Sequence, residues 1–392
     1  MTQYKYLIVG GGMAANAAIQ GIRSLDRQGS IGVITAEADP PYDRPPLSKG
    51  LWKGDTSLDE IVHPASDGVI FHHNRRAEMI HIAQRMVEDD QAQGYEYEKL
   101  LLATGGTPKR LPFDQNGEIL YYRTLQDYHR LRELSEQYDR FAVIGGSFIG
   151  SELAAALALN GKEVSMIFPE GSLCAQLLPP DVSGYLNRYY ESKGVRLNAN
   201  TPLKGMEGKL GNYLLHTAFN EEISAEVVVA GIGIQPNTEL AERASLRVGD
   251  GVMVNTGLQT SDPDIYAAGD IANFEDALLK ERRRVEHEDN AKVMGEAAGR
   301  AMTGAKIDYT HSPMFYSDLF DIGYEAVGKL GVALEVYADW QDEYAKGVIY
   351  YLDAGRLRGV LLWNVWDQLD RARELIRSNH IWQLDELQGQ IA

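Results

Sequence analysis

Two stretches of the chain read almost alike: Tyr6–Ala15 (YLIVGGGMAA) and Phe141–Gly150 (FAVIGGSFIG), offset by 135 residues. Each starts as an apolar run of strand length, passes through a glycine turn and enters an alanine-rich stretch with helical spacing, AANAAIQGIR in one and SELAAALALNG in the other. Each then returns to an apolar strand, IGVITAE or EVSMIFPE, that closes on an acidic residue. A strand, a turn, a helix and a strand written twice predict an α/β chain with two Rossmann-like domains.

The residue types explain what such a unit can hold. Glycines at a strand-to-helix turn let backbone approach a pyrophosphate, whose charge is met by unpaired N–H groups at the helix start. Gly10, Gly12 and Ala15 fit the G-x-G-x-x-G/A pattern, and Glu37 follows 27 positions after Gly10, where a carboxylate can bond ribose hydroxyls. In the second copy Gly145 and Gly150 fit the outer positions, Ser147 stands in the middle one, and Glu170 follows 25 positions after Gly145. One copy alone would equally suit a tight turn before an ordinary helix; two copies with matching acids favour two dinucleotide sites. Glu170 has no arginine in the next few positions, which favours NADH over NADPH because a carboxylate repels a 2′-phosphate.

Composition narrows the classes. Lys and Arg number 38 against 56 Asp and Glu, a net charge of −18 that argues against nucleic acid and anionic membrane partners. The one cysteine, Cys174, can form neither an internal disulfide nor a two-cysteine redox centre, and is expected to be an inert packed thiol. No apolar run approaches the ~18–20 residues of a spanning helix, and the N-terminal MTQYKYLIVGGG enters a strand at once, so a cytoplasmic protein is expected. Further along, PPYDRPPLSKGLW (Pro40–Trp52) reads as a loop leading into a short helix. LLLATGGTP (Leu100–Pro108), EVVVAGIGIQPN (Glu226–Asn237) and TSDPDIYAAGDIANF (Thr260–Phe274) read as strands ending in glycine turns. Asp270, after Gly269, could bond polyol hydroxyls or serve as a helix N-cap.

With these motifs in hand, the chain resembles the FAD-dependent pyridine nucleotide-disulfide oxidoreductases of the ferredoxin-reductase type, and within them the apoptosis-inducing factor group. RPPLSK (Arg44–Lys49), ATGGTP (Ala103–Pro108), FIGSE (Phe148–Glu152) and AAGD (Ala267–Asp270) carry the wider likeness. RRRVEHEDNA (Arg282–Ala291), MTG (Met302–Gly304), SPMFYSDLFDIGYEAVG (Ser312–Gly328) and LLWNVWDQLDRARELI (Leu361–Ile376) carry the narrower one. The resemblance implies FAD held by Gly10, Gly12, Ala15, Glu37, Arg44, Lys49, Ala103, Thr104, Gly105, Arg123, Gly269 and Asp270, with Glu286, His287 and Tyr316 on the flavin side. It implies NAD at Gly145, Ser147, Phe148, Ile149, Gly150, Glu152, Glu170 and Gly233, and catalytic roles for Lys49, Glu152 and His287; no metal is expected. Taken alone, Lys49 and Glu152 would read as surface ion-pair residues, Phe148 as a core aromatic and His287 as a solvated helix residue. Tyr316 stands where the group often has tryptophan, and only eighteen residues separate Gly328 from Gly347, too few for the long insertion of the proapoptotic members.

The resulting plan is a FAD domain (1–116 and 247–310), an NADH domain (117–246) and a C-terminal α+β domain (311–392). Three activities fit it: an NADH oxidoreductase passing electrons to an unidentified acceptor (oxygen, quinone or a small redox protein), an NADH-dependent ferredoxin or rubredoxin reductase, and an NADH-sensing interaction protein that forms a homodimer.

Overall fold

The computed structural model describes residues 2–64 and 66–391. Seven elements frame the two glycine turns: β1 (Thr2–Val9), α1 (Met13–Leu25), β2 (Ile31–Ile34), β3 (Arg140–Ile144), α2 (Phe148–Leu159), β4 (Glu163–Ile167) and α3 (Glu288–Met302). The chain divides into two compact units, one of Met1–Asp43, Leu58–Thr107 and Gln235–Phe315, the other of Arg44–Ser57, Pro108–Ile234 and Tyr316–Ala392.

In the first unit, β1 lies between β2 and Gly94–Leu102, parallel to both, with Tyr6 opposite Ile31 and Val9 opposite Leu102. Val69–His72 extends the parallel sheet beyond β2, and Ile265–Ala267 extends it beyond Gly94–Leu102. Leu7, Ile8, Ile31, Val33, Leu100 and Leu101 are all fully buried, as parallel strands covered on both faces require. Helices α1 and α3 pack with their backbones almost touching: a Cβ on Gly295 would lie 2.3 Å from the Ala14 carbonyl oxygen, and one on Gly299 would lie 2.1 Å from that of Ala18. Small residues on both faces are therefore a condition of this pairing.

In the second unit, β3 is flanked by β4 and Val227–Ala230, again parallel, with Ile144 opposite both Ile167 and Ala230. Arg196–Asn198 and Leu120–Tyr121 complete that sheet, and a three-stranded antiparallel sheet (Leu203–Lys209, Asn212–Thr217, Glu222–Ala225) is inserted in the chain between its strands Arg196–Asn198 and Val227–Ala230. Residues 316–392 add an antiparallel sheet that contains Ile322–Gly328, Arg356–Trp363, Lys346–Asp353 and Glu335–Asp342 in that order. The helix Leu369–Arg377 buries Ala372, Leu375 and Ile376 against it. Within this unit the Tyr351 hydroxyl donates to the Leu177 carbonyl at 2.9 Å and Lys193 pairs with Asp321 at 2.7 Å, so the C-terminal sheet is fastened to residues 108–234. The architecture is the expected one of two Rossmann-like parallel sheets plus a C-terminal sheet and helix.

Candidate functional site

The first glycine turn is shaped by close approach. Gly10 has φ +114°, and a Cβ there would sit 2.1 Å from the Ala103 carbonyl oxygen, so only glycine fits. Gly12 is the N-cap of the 13-residue α1, and Ala15 is fully buried on its first turn. Beside the turn, Ala103 N–H donates to the Val9 carbonyl, and Thr104 and Asn237 exchange two hydrogen bonds of 3.0 and 2.8 Å. Gly105 comes next, with φ +60°. Gly269 has φ +78°, and a Cβ there would lie 2.9 Å from Ala14 Cβ on α1, so this second turn closes on the first helix. Asp270 lies inside the short 3-10 helix Gly269–Ile271, whose N-cap is Ala268, so the capping role open to it is not the one it takes there. Its carbonyl accepts from Arg284 at 3.1 Å. Past β2, the Glu37 carboxylate accepts the Tyr42 hydroxyl at 2.5 Å.

The second turn repeats the design. Gly145 has φ +112°, with a notional Cβ 2.4 Å from the Gly231 carbonyl oxygen; one on Gly150 would lie 2.1 Å from that of Gly145. Ser147 is the N-cap of the 12-residue α2, and its side chain is exposed. Ser147 makes no side-chain capping bond to α2, and Gly12, the N-cap of α1, has no side chain to offer one. Phe148 is half-buried and Ile149 is 38% exposed at this helix start. Glu170 lies three residues past β4, half-buried, its carbonyl accepting from Asn200 at 2.8 Å. Gly233, with φ +84°, lies three residues past the strand Val227–Ala230.

Lys49 and Glu152 form a buried ion pair, at 8% and 2% exposure, with Nζ 2.7 Å from Oε2. The surface-pair reading of these two residues is thus corrected. Ser48 also donates to Oε2, at 2.7 Å, and Ser317 donates to Oε1 at 2.6 Å, giving one carboxylate three donors from two segments. Lys49 Nζ lies 5.3 Å from the centroid of the Tyr316 ring. Both serines escaped the sequence reading, although Ser48 lies in RPPLSK and Ser317 in SPMFYSDLFDIGYEAVG. Behind α2, burial pushes the Cys174 thiol up to about 12, in keeping with an inert packed cysteine. Arg44 Nη1 donates to the Arg123 carbonyl at 2.9 Å.

His287 corrects a second bland reading. It precedes α3 as its N-cap, stacks on Phe315 (centroids 4.6 Å apart, planes at 22°) and is half-buried. Desolvation lowers its pKa from 6.5 to about 4, with Arg283 acting in the same direction against Asp270 and Asp289. The imidazole is therefore neutral at pH 7. Its neighbour Glu286 is exposed and pairs with Arg284 at 2.7 Å, while Arg284 also pairs with Asp250 at 2.9 Å. Between pH 6.5 and 4 the unfolded chain binds a proton at His287 that the folded chain does not, so stability rises with pH through that window. This group should make the wild type about 2 kcal/mol less stable at pH 5 than at pH 7.5. Urea unfolding of the wild type and His287→Phe at both values checks this: the variant, which keeps a ring against Phe315, should lack that increment.

The first unit thus carries Gly10, Gly12, Ala15, Glu37, Ala103, Thr104, Gly105, Gly269, Asp270, Glu286 and His287; the second carries the remaining candidates. Among the described residues no helix is long and apolar enough to cross a membrane.

Residues 4–295 match the family model described as pyridine nucleotide-disulphide oxidoreductase. Residues 298–341 and 334–378 match the one described as apoptosis-inducing factor, mitochondrion-associated, C-term. Apoptosis-inducing factor 1, mitochondrial, of Dictyostelium discoideum is 34% identical over 435 residues, covering 99% of this chain and 81% of that protein. The ferredoxin–NAD(+) reductase component of the anthranilate 1,2-dioxygenase system of Burkholderia cepacia is 30% identical, covering 96% and 95%. Among solved structures, the covalent putidaredoxin reductase–putidaredoxin complex aligns with TM-score 0.90 at 26% identity, covering 99% and 96%. The chain belongs to the pyridine nucleotide-disulphide oxidoreductase family, on its apoptosis-inducing-factor-like side.

Proposed function

We propose that the chain is a FAD-dependent NADH oxidoreductase of apoptosis-inducing-factor type, which takes a hydride from NADH and passes electrons to an acceptor not yet identified. The observation that carries this reading is the doubled cradle, Gly10 against Ala103 and Gly145 against Gly231, each closed to any side chain and each followed by a helix of twelve or more residues. Such cradles fit two dinucleotides. FAD, when bound, supplies the acceptor for the hydride and the donor for the electrons that leave.

The chain's own residues would do the rest. Gly10, Gly12 and Ala15 would let the α1 amides meet the FAD pyrophosphate, Glu37 would bond its ribose, and Arg44, Arg123, Ala103, Thr104, Gly105, Gly269 and Asp270 would line the remainder. Gly145, Ser147, Ile149, Gly150 and Gly233 would receive NADH, with Glu170 excluding a 2′-phosphate and Phe148 guarding the entrance. The exposed Ser147 side chain leaves the cradle itself to backbone, so the serine is compatible with that role. Lys49 would offset negative charge gained at the flavin, held by Glu152; neutral His287, together with Glu286 and Tyr316, would border the reacting atoms without itself adding charge. The ranges 1–116 with 247–310, 117–246 and 311–392 remain our division into FAD, NADH and C-terminal domains. A cytoplasmic site of action is part of the proposal, supported by a lone buried thiol that needs no oxidising compartment.

The likeness to a ferredoxin–NAD(+) reductase component and to putidaredoxin reductase favours a second reading, in which a small iron–sulfur protein is the acceptor. Rapid mixing of the NADH-reduced protein with oxygen, a quinone or a small iron–sulfur protein separates the two. Slow reoxidation with a persistent long-wavelength band supports our first reading; fast turnover with the iron–sulfur protein overturns it. If NADH leaves the protein's size in solution unchanged, the NADH-sensing dimer loses its support.

A further inference from the structure

We infer that Ser317 is the positioning residue that fixes the Glu152 carboxylate, and through it the Lys49 ammonium, so that the C-terminal sheet sets how readily a bound flavin is reduced. This rests on the proposed role of Lys49 in offsetting charge gained at the flavin, and goes beyond it by naming what holds that charge in place.

The two oxygens of Glu152, on the second turn of α2, are served differently. Oε2 receives Lys49 Nζ and Ser48 Oγ, both at 2.7 Å and both from the end of the 3-10 helix Pro45–Ser48, of which Lys49 is the C-cap. With those two donors alone, the carboxylate could still turn about its terminal torsion, which is broad and two-fold, and carry the ammonium with it. Oε1 receives Ser317 Oγ, at 2.6 Å. Ser317 lies on the strand Met314–Leu319, where it and Leu319 are buried and Asp318 between them is not, as strand alternation requires. That strand pairs with Ile322–Gly328 in the C-terminal sheet, so the hydroxyl comes from a fixed backbone with one side-chain torsion to set. Its bond to Oε1 locks the plane of the carboxylate, and Lys49 is left with one position against Oε2. Charge at the pair is not shared with its neighbours. The Tyr324 phenol, fully buried, is kept protonated well above pH 10 with desolvation as the main cause, and the buried Cys174 thiol is neutral for the same reason. Ser317 touches Glu152 and reaches Lys49 through it, which makes its role one of positioning.

The reduction potential of the bound flavin reads this role. Full-length FAD-loaded protein is brought to anaerobic redox equilibrium with a dye of known potential, and the ratio of reduced to oxidised flavin is taken from the visible spectrum. Ser317→Ala removes one buried oxygen and leaves the strand in place. At a fixed ambient potential it should lower the ratio about tenfold, a midpoint about 30 mV more negative for a two-electron couple, because the ammonium is no longer held where reduced flavin needs it. A merely structural role would lower the urea midpoint or the flavin content and leave the ratio where it was, which overturns the inference. The double variant Lys49→Met with Glu152→Leu removes the pair and fills its space; it should lower the ratio too, and adding Ser317→Ala to it should lower it no further. If the double variant leaves the ratio intact, the charge-offsetting role of Lys49 fails. If it lowers the ratio and Ser317→Ala alone does not, only the role of Ser317 fails. A further fall when Ser317→Ala is added to the double variant would show that the serine acts without the pair, and also overturns the inference.

Discussion

Glu152→Ala should destabilise the protein by about 3–5 kcal/mol, the usual cost of removing one partner from a buried ion pair. The loss is large because three donors converge on this carboxylate, Lys49 Nζ, Ser48 Oγ and Ser317 Oγ, and the buried Lys49 would lose its counter-charge. Lys49 cannot easily turn to water, since only 9% of its side chain is exposed. The double variant Lys49→Met with Glu152→Leu removes both charges and fills the space, and should recover at least half of the loss. Urea unfolding of the three proteins, with FAD content measured alongside, checks both statements; a Glu152→Ala protein within about 1 kcal/mol of wild type would contradict the burial and the bonding just described.

The second large effect separates the two cradles. Gly10→Ala forces a Cβ to 2.1 Å from a backbone oxygen at φ +114°, a conformation that L-residues rarely adopt and a contact that no side-chain adjustment relieves. It should yield protein with little or no flavin. Gly145→Ala meets the Gly231 carbonyl at 2.4 Å with φ +112° and carries the same local penalty. Because Gly145 belongs to the other unit, this variant should keep its flavin and lose reduction by NADH, with KM raised about tenfold or more. The ratio of visible flavin to protein absorbance, followed by NADH reduction rates, gives both answers. Loss of flavin from Gly145→Ala with retention in Gly10→Ala would invert the assignment.

What the sequence disclosed and what it hid have physical causes. The cradles were readable because a strand-to-helix turn with φ of +114° or +112° admits only glycine, so the backbone's need is written directly in Gly10 and Gly145. Matching acids, Glu37 and Glu170, appear because each second strand ends at the same place. The ion pair was readable only as two motif residues. That Lys49 and Glu152 are buried together depends on a contact across 103 residues of sequence, and that Ser317 joins them depends on one across 165, neither of which leaves a local pattern. His287 was concealed by its neighbours: RRRVEHEDN has the charge density of a solvated face, yet the histidine occupies the cap before α3 and lies flat on Phe315. In the C-terminal sheet, Glu335–Asp342 (EVYADWQD) escaped because half of its residues are polar and none is fully buried; it is a strand through pairing with Lys346–Asp353, Trp340 lying opposite Gly347. The antiparallel strands Leu203–Lys209 and Glu222–Ala225 were hidden in the same way by exposed glutamates and lysines.

Anaerobic titration of the purified, flavin-loaded protein with NADH tests the central claim most directly. Hydride transfer between two nucleotides bound by one chain predicts that one NADH per FAD bleaches the visible flavin absorption, and that the same amount of NADPH does so far more slowly because of Glu170. A flavin spectrum left unchanged by excess NADH would contradict it.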